Sequence, residues 1–126
     1  MNPVAIVVVV IAAFVMSSAY YMITGRVRAE ILGTDPQARP EPWKPPVELV
    51  RSGVLAVVLA VFVDQQGIHS WTGGLVLGLL CWLAFPAVLL SGSVMWDGAR
   101  TKLAVIHGGD WLIKILMMTI VLSVWR

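Results

Sequence analysis

Four long apolar stretches fill most of the 126-residue sequence. A helix needs roughly 20 mainly apolar residues to cross about 30 Å of hydrocarbon. We therefore predict membrane-spanning helices over residues 4–23, 47–63, 71–92 and 103–125. The fold class expected for residues 1–126 is all-α, a single integral membrane bundle of four transmembrane helices.

The composition excludes several classes of protein. Hydrophobic residues make up 59% of the chain and charged residues 13%, whereas soluble domains carry about 25% charged residues. A net charge of +2 is too small to indicate binding to nucleic acid. Cys81 is the only cysteine, which excludes an internal disulfide and a thiolate metal cluster. We expect no cofactor, no metal and no nucleic-acid partner.

The first apolar segment is predicted to be a retained helix. It lacks a positively charged N-terminal region, and its apolar run exceeds the roughly 7–15 residues of a signal peptide. Cleavage after the small residues Ser17, Ser18 and Ala19 is the alternative.

The basic residues predict a topology. The loops 24–46 and 93–102 hold six Lys or Arg residues, whereas the turn 64–70 and the segment before residue 4 hold none and the C-terminus holds only Arg126. The positive-inside rule places both loops in the cytoplasm and both termini outside, in a multi-pass protein of a bacterial cytoplasmic membrane. Five prolines within 34–46 predict an extended cytoplasmic linker.

Polar residues of all four helices reach one depth, toward the predicted cytoplasmic side. Ionisable groups at membrane depth cost about 2.5–3.5 kcal/mol each on insertion scales, so they face the bundle interior and find partners. Spacing predicts two pairs, Asp110 with Lys114 and Glu48 with Arg51. The residues predicted to line a cytoplasm-facing polar cup are Tyr20, Tyr21, Arg51, His107, Asp110 and Lys114.

Three interpretations of these residues stay open. The cup binds or transports a small molecule or lipid; His107 and Asp110 relay protons; or the ion pairs only neutralise one another and hold helices together. The sequence shows no zinc-protease motif, nucleophile elbow or phosphate loop. We therefore expect a protein that is not an enzyme.

Gly74 and Gly78 form a small-xxx-small pattern that permits close helix packing. We expect this packing within one bundle, with a homo-oligomer or a larger membrane complex as the alternative. An accessory subunit that packs against other membrane proteins is thus the second functional hypothesis. Membrane lipids are the expected surroundings in either case.

Several motifs resemble one family. They are residues 81–85 (CWLAF), residues 95–100 (MWDGAR), residues 103–109 (LAVIHGG), the closing Trp125, and the Ala19-Tyr20-Tyr21 run followed by Gly25. Together they resemble the bacterial family named domain of unknown function 1761, although that family has Trp where this chain has Tyr20. The resemblance implies a small four-helix membrane protein and transfers no catalytic residue.

Overall fold

The structure is a computed structural model that describes residues 2–35 and 41–125. Its α-helices are α1 (Pro3–Leu32), α2 (Lys44–Gln65), α3 (Trp71–Trp82), α4 (Val88–Trp96) and α5 (Thr101–Val124). A π-helical turn, Leu83–Ala87, joins α3 to α4 in one continuous span. Four spans are long and apolar enough to cross a membrane, and the described residues contain no strand. The predicted all-α fold with four transmembrane-capable helices is confirmed.

Part of the predicted proline-rich linker, residues 36–40, and the terminal Arg126 lie outside the described residues. We name the two ends of the bundle by their loops. The basic end is the one at which α1 and α4 finish and α2 and α5 begin, and it carries the predicted cytoplasmic loops. The N-out, C-out orientation stays a prediction.

The capping residues mark where the helices begin and end more accurately than the apolar runs do. Asn2 Oδ1 accepts hydrogen bonds from the backbone N–H groups of Val4 and Ala5, at 3.0 and 3.3 Å, and so caps α1. The helix then continues nine residues past Ile23 and ends at Leu32, before Gly33, whose φ of 68° is the left-handed conformation that commonly ends helices. α1 is therefore much longer than the predicted span 4–23.

α5 is the central helix of the bundle. It packs against α1, α2, α3 and α4, and α1 also packs against α2. In its most apolar window 44% of the residues are buried, compared with 17% in α1. α5 is also the least apolar of the four spans. Its central position shields Asp110 and Lys114 from lipid, because the other helices surround it.

The π-helical turn lies at Pro86. Proline has no backbone N–H and obstructs the preceding turn of an α-helix, and a local π-turn accommodates this. Beyond the turn, none of the residues of α4 is buried. The basic end of the bundle is therefore held together mainly by α1, α2 and α5.

Candidate functional site

Polar side chains from α1, α2 and α5 form one connected group, which we call the polar cluster. Its members are Ser17 and Tyr21 on α1, Glu48 and Arg51 on α2, and His107, Asp110 and Lys114 on α5. Lys114 lies thirteen residues after Thr101 and ten before Val124, or about 20 and 15 Å along the helix. The cluster thus extends from the basic end to the middle of α5.

Three side chains contact the Asp110 carboxylate. The Ser17 hydroxyl donates to Oδ1 at 2.7 Å, Lys114 Nζ lies 3.4 Å from Oδ2, and the Tyr21 hydroxyl lies 3.5 Å from Oδ2. Only 5% of the Asp110 surface is exposed. The carboxylate therefore faces α1 inside the bundle and not the lipid.

Lys114 is equally buried, with 4% of its surface exposed. Its Nζ lies 3.6 Å from Glu48 Oε1 as well as near Asp110, and it stands 4.8 Å from the centroid of the Trp111 ring. Side chains on a helix lean toward its N-terminus, which for α5 is the basic end. The ammonium group consequently points toward the two carboxylates that neutralise it.

Glu48 connects this buried pair to the surface of the bundle. Arg51 Nη1 lies 2.8 Å from Glu48 Oε2, and the side chains are 58% and 33% exposed for Arg51 and Glu48. One carboxylate thus contacts a buried cation through one oxygen and an exposed cation through the other. The polar cluster is thus buried at Asp110 and exposed at Arg51.

Tyr21 joins the histidine to the same network. Its hydroxyl lies 2.8 Å from His107 Nδ1, and it also faces Asp110. A hydroxyl carries one proton and donates one hydrogen bond. Both contacts are therefore hydrogen bonds only when His107 Nδ1 donates to the Tyr21 oxygen and Tyr21 donates to Asp110.

Tyr20 has a different partner from the other predicted site residues. Its hydroxyl donates to the backbone carbonyl of Ile106 at 2.7 Å, and its ring meets the edge of Tyr21 with the centroids 5.5 Å apart. A Cβ added at Gly109 would lie 2.5 Å from the Tyr20 oxygen. Tyr20 therefore packs α1 against Gly109 of α5. It lies next to the charged side chains but forms no hydrogen bond with them in the described residues.

Five of the six predicted residues thus belong to one network. Tyr21, His107, Asp110 and Lys114 are linked directly, and Arg51 joins them through Glu48. The direct bond from Ser17 to Asp110 was not predicted, nor was Arg28, whose guanidinium stands 5.2 Å from the Tyr21 ring centroid. Arg28 follows Tyr21 by seven residues, a spacing that places both on one helix face.

Gly74 and Gly78 lie between α3 and α5. Both are buried. An added Cβ would stand 2.7 Å from the Thr119 carbonyl oxygen at Gly74 and 2.5 Å from the Thr119 hydroxyl at Gly78. The small residues therefore allow close contact inside this bundle, and neither one is available at an outer face.

Two further features bear on ligands. Within residues 2–35 and 41–125, no group of three or more His, Cys, Asp or Glu side chains is placed to hold a metal ion. A surface groove of about 430 Å³ lies at the basic end, lined by Glu30, Ile31, Arg100, Thr101 and Lys102. None of its lining residues belongs to the polar cluster.

A family model described as a protein of unknown function, DUF1761, matches residues 4–123. The chain belongs to this family. The match includes all four apolar spans and every member of the polar cluster, which agrees with the resemblance found in the sequence motifs. No curated protein and no solved structure matches the chain. The match therefore establishes the family of the chain without an activity, and the membrane character rests on the four apolar helices.

Proposed function

We propose that this chain is a non-enzymatic membrane protein that binds, or binds and transports, a small molecule or lipid headgroup at the polar cluster. The single observation that carries this proposal is the continuous path from buried Lys114 through Glu48 to exposed Arg51. Arg51 offers a ligand an accessible charge that is connected to charges near the middle of α5.

The cost of the polar cluster supports a role beyond packing. Replacing a buried ion pair with well-packed apolar residues is often neutral or stabilising. This chain packs α3 on α5 without an ion pair among the described residues, by close contact at Gly74 and Gly78 and a hydrogen bond from Trp82. The ion pair between α2 and α5 and the buried pair within α5 are a more costly way to hold helices together, which favours a function for the charges themselves.

The geometry suggests how an anionic group would bind. An anion that pairs with Arg51 competes with Glu48 for the guanidinium, because both need the same donors. Glu48 is then free to move closer to Lys114, from which it now lies 3.6 Å away. Binding at the exposed arginine thereby strengthens an ion pair in the interior and couples the ligand to α5.

An accessory role in a larger complex is the alternative, and it has less support. The glycine pair that offers a close-packing surface is buried between α3 and α5. Exposed apolar side chains cover the remaining helix faces, as they do in any protein surrounded by lipid. These faces do not indicate a particular partner.

The proposal is tested by native mass spectrometry of the protein released from its own membrane in mild detergent. We expect a bound species on the wild type that is lost from Arg51→Gln and retained by the matched control Arg26→Gln. Arg26 is exposed at the same end of the bundle, and the change in charge is identical. A wild type without any bound species, or equal retention by both variants, contradicts the proposal.

A further inference from the structure

Arg28 carries a hydrogen-bond donor that no acceptor meets in the part of the chain that the structure describes. Its Nε atom is buried and lacks a hydrogen-bond partner there, while its guanidinium carbon stands 5.2 Å from the centroid of the Tyr21 ring. Leaving a buried donor unpaired costs about 1–3 kcal/mol, and more when the group is charged. Such a group in a folded protein calls for a specific explanation, and a ligand that supplies the acceptor is one.

Neighbouring charges do not explain the position of Arg28. Among the described residues, the ion pairs at the polar cluster involve Lys114 and Arg51, and none joins Arg28 to a carboxylate. Arg28 instead lies within electrostatic reach of Tyr21 and His107. The guanidinium is thus held on an aromatic face by a cation–π contact, with its positive charge still available.

The depth of Arg28 indicates where its partner comes from. Arg28 lies 25 residues after Pro3, which is about 38 Å along α1, beyond the roughly 30 Å of hydrocarbon. The backbone of Arg28 therefore reaches the level of the lipid headgroups at the basic end, and its guanidinium lies just below that level, on the Tyr21 ring. Exposed Arg26 on α1, Arg100 and Lys102 lie at the same end of the bundle, and together they attract anions to this surface.

We propose that Arg28, held on the Tyr21 ring, binds the phosphate group of an anionic ligand at the basic end. This inference rests on the proposed function and names the ligand class. A guanidinium binds a phosphate through two parallel N–H donors, and Nε is one of those that form such a fork. Tyr21, on which Arg28 rests, faces Asp110 and so links the bound phosphate to the polar cluster.

The test uses the full chain in nanodiscs and two phosphate probes. Electron paramagnetic resonance measures the preference for spin-labelled phosphatidylglycerol over spin-labelled phosphatidylcholine. Calorimetry measures binding of inorganic phosphate in discs of phosphatidylcholine alone. We expect Arg28→Gln to weaken binding of at least one probe about tenfold. The matched control Arg26→Gln removes the same charge from an exposed position of α1 and should change binding less than about twofold.

The two probes separate the sources of the phosphate. Loss of the preference for phosphatidylglycerol identifies a lipid headgroup, whereas loss of inorganic phosphate binding identifies a soluble phosphate. Arg28→Lys keeps the charge without the fork, so we expect an intermediate loss and a native fold by circular dichroism. This variant provides the test if Arg28→Gln does not fold.

Equal weakening by Arg28→Gln and Arg26→Gln would overturn the inference, because it would indicate general attraction to basic residues. No effect of either variant would overturn it as well. Arg51→Gln in native mass spectrometry separates this failure from failure of the proposed function. A bound species lost from Arg51→Gln but kept by Arg28→Gln leaves the proposed function standing with a different ligand class.

Discussion

Lys114 is a buried cation near the middle of α5, and two carboxylates neutralise it. Nζ lies 3.4 Å from Asp110 and 3.6 Å from Glu48. Removal of one partner from a buried ion pair leaves the other charge uncompensated, which is more harmful than removal of both. The Asp110–Lys114 pair is therefore the place where the energetics of the polar cluster can be measured.

Lys114→Met and Asp110→Asn should each lower the free energy of unfolding, Lys114→Met by about 3–5 kcal/mol because it leaves the buried carboxylate without its cation. The double variant should lose less than the sum of the two single losses, since no charge of the pair is then left unpaired. Reversible unfolding in mixed micelles measures these free energies, with exposed Lys102→Met as the control. Additive losses would show that the two side chains do not stabilise one another.

Pairs within one helix could be predicted from spacing, but pairs between helices could not. Residues three or four apart share a helix face, so Asp110 with Lys114 and Glu48 with Arg51 were found from the sequence. The bond from Ser17 to Asp110 joins residues 93 positions apart and depends on how α1 is rotated against α5. Nothing in the local sequence fixes that rotation.

At the level of the helices, the contact of α3 with α5 depends on two glycines. A Cβ at Gly74 would meet backbone atoms, the Thr119 carbonyl oxygen at 2.7 Å and Ile120 Cα at 2.9 Å. Backbone atoms cannot turn away as a flexible side chain can. Any larger residue at Gly74 therefore forces the two helices apart.

Gly74→Ala should lower the free energy of unfolding by about 1–3 kcal/mol, the usual cost of overpacking. Gly92→Ala is the control, because none of the described residues lies within 4 Å of a Cβ added at Gly92. It should be neutral or slightly stabilising, since alanine favours a helix by up to about 1 kcal/mol over glycine. Equal effects of the two substitutions, measured by unfolding in mixed micelles, would argue against close α3–α5 packing at Gly74.

The sequence predicted which segments are helices better than where they end. The four apolar runs gave the number of spans, because hydrocarbon thickness sets a minimum length for each one. α1 nevertheless extends from Pro3 to Leu32, and α2 begins at Lys44 and carries Pro45 and Pro46 in its first turn. Prolines are tolerated there because the first N–H groups of a helix have no partner within the helix. Composition alone predicted an extended linker through residue 46.

For the whole molecule, the orientation in the membrane determines from which side a ligand reaches the polar cluster. The distribution of Lys and Arg predicts that the basic end does, with both termini outside. The proposed ligand site depends on this orientation, because Arg28 and Arg51 would then meet a cytoplasmic ligand or the inner leaflet.

Single cysteines in a Cys81→Ala background test the orientation. Asn2→Cys should react with a membrane-impermeant maleimide in intact cells, whereas Asp97→Cys should react only in inverted vesicles. Both native residues are located at helix ends, so their replacement leaves the packed interior intact. The opposite labelling pattern would place the basic end outside and reverse the predicted access to the polar cluster.

The polar cluster is proposed to form a ligand site that opens at Arg51 on the basic end. An experimental structure of the protein in nanodiscs made from its native lipids tests this claim most directly. We predict density for a polar or headgroup moiety in contact with Arg51, and with Arg28 when that moiety carries phosphate. Acyl chains alone against Arg51 and Glu48, with Asp110 and Lys114 paired and no polar density beside them, would contradict the claim and make the cluster a structural link between helices.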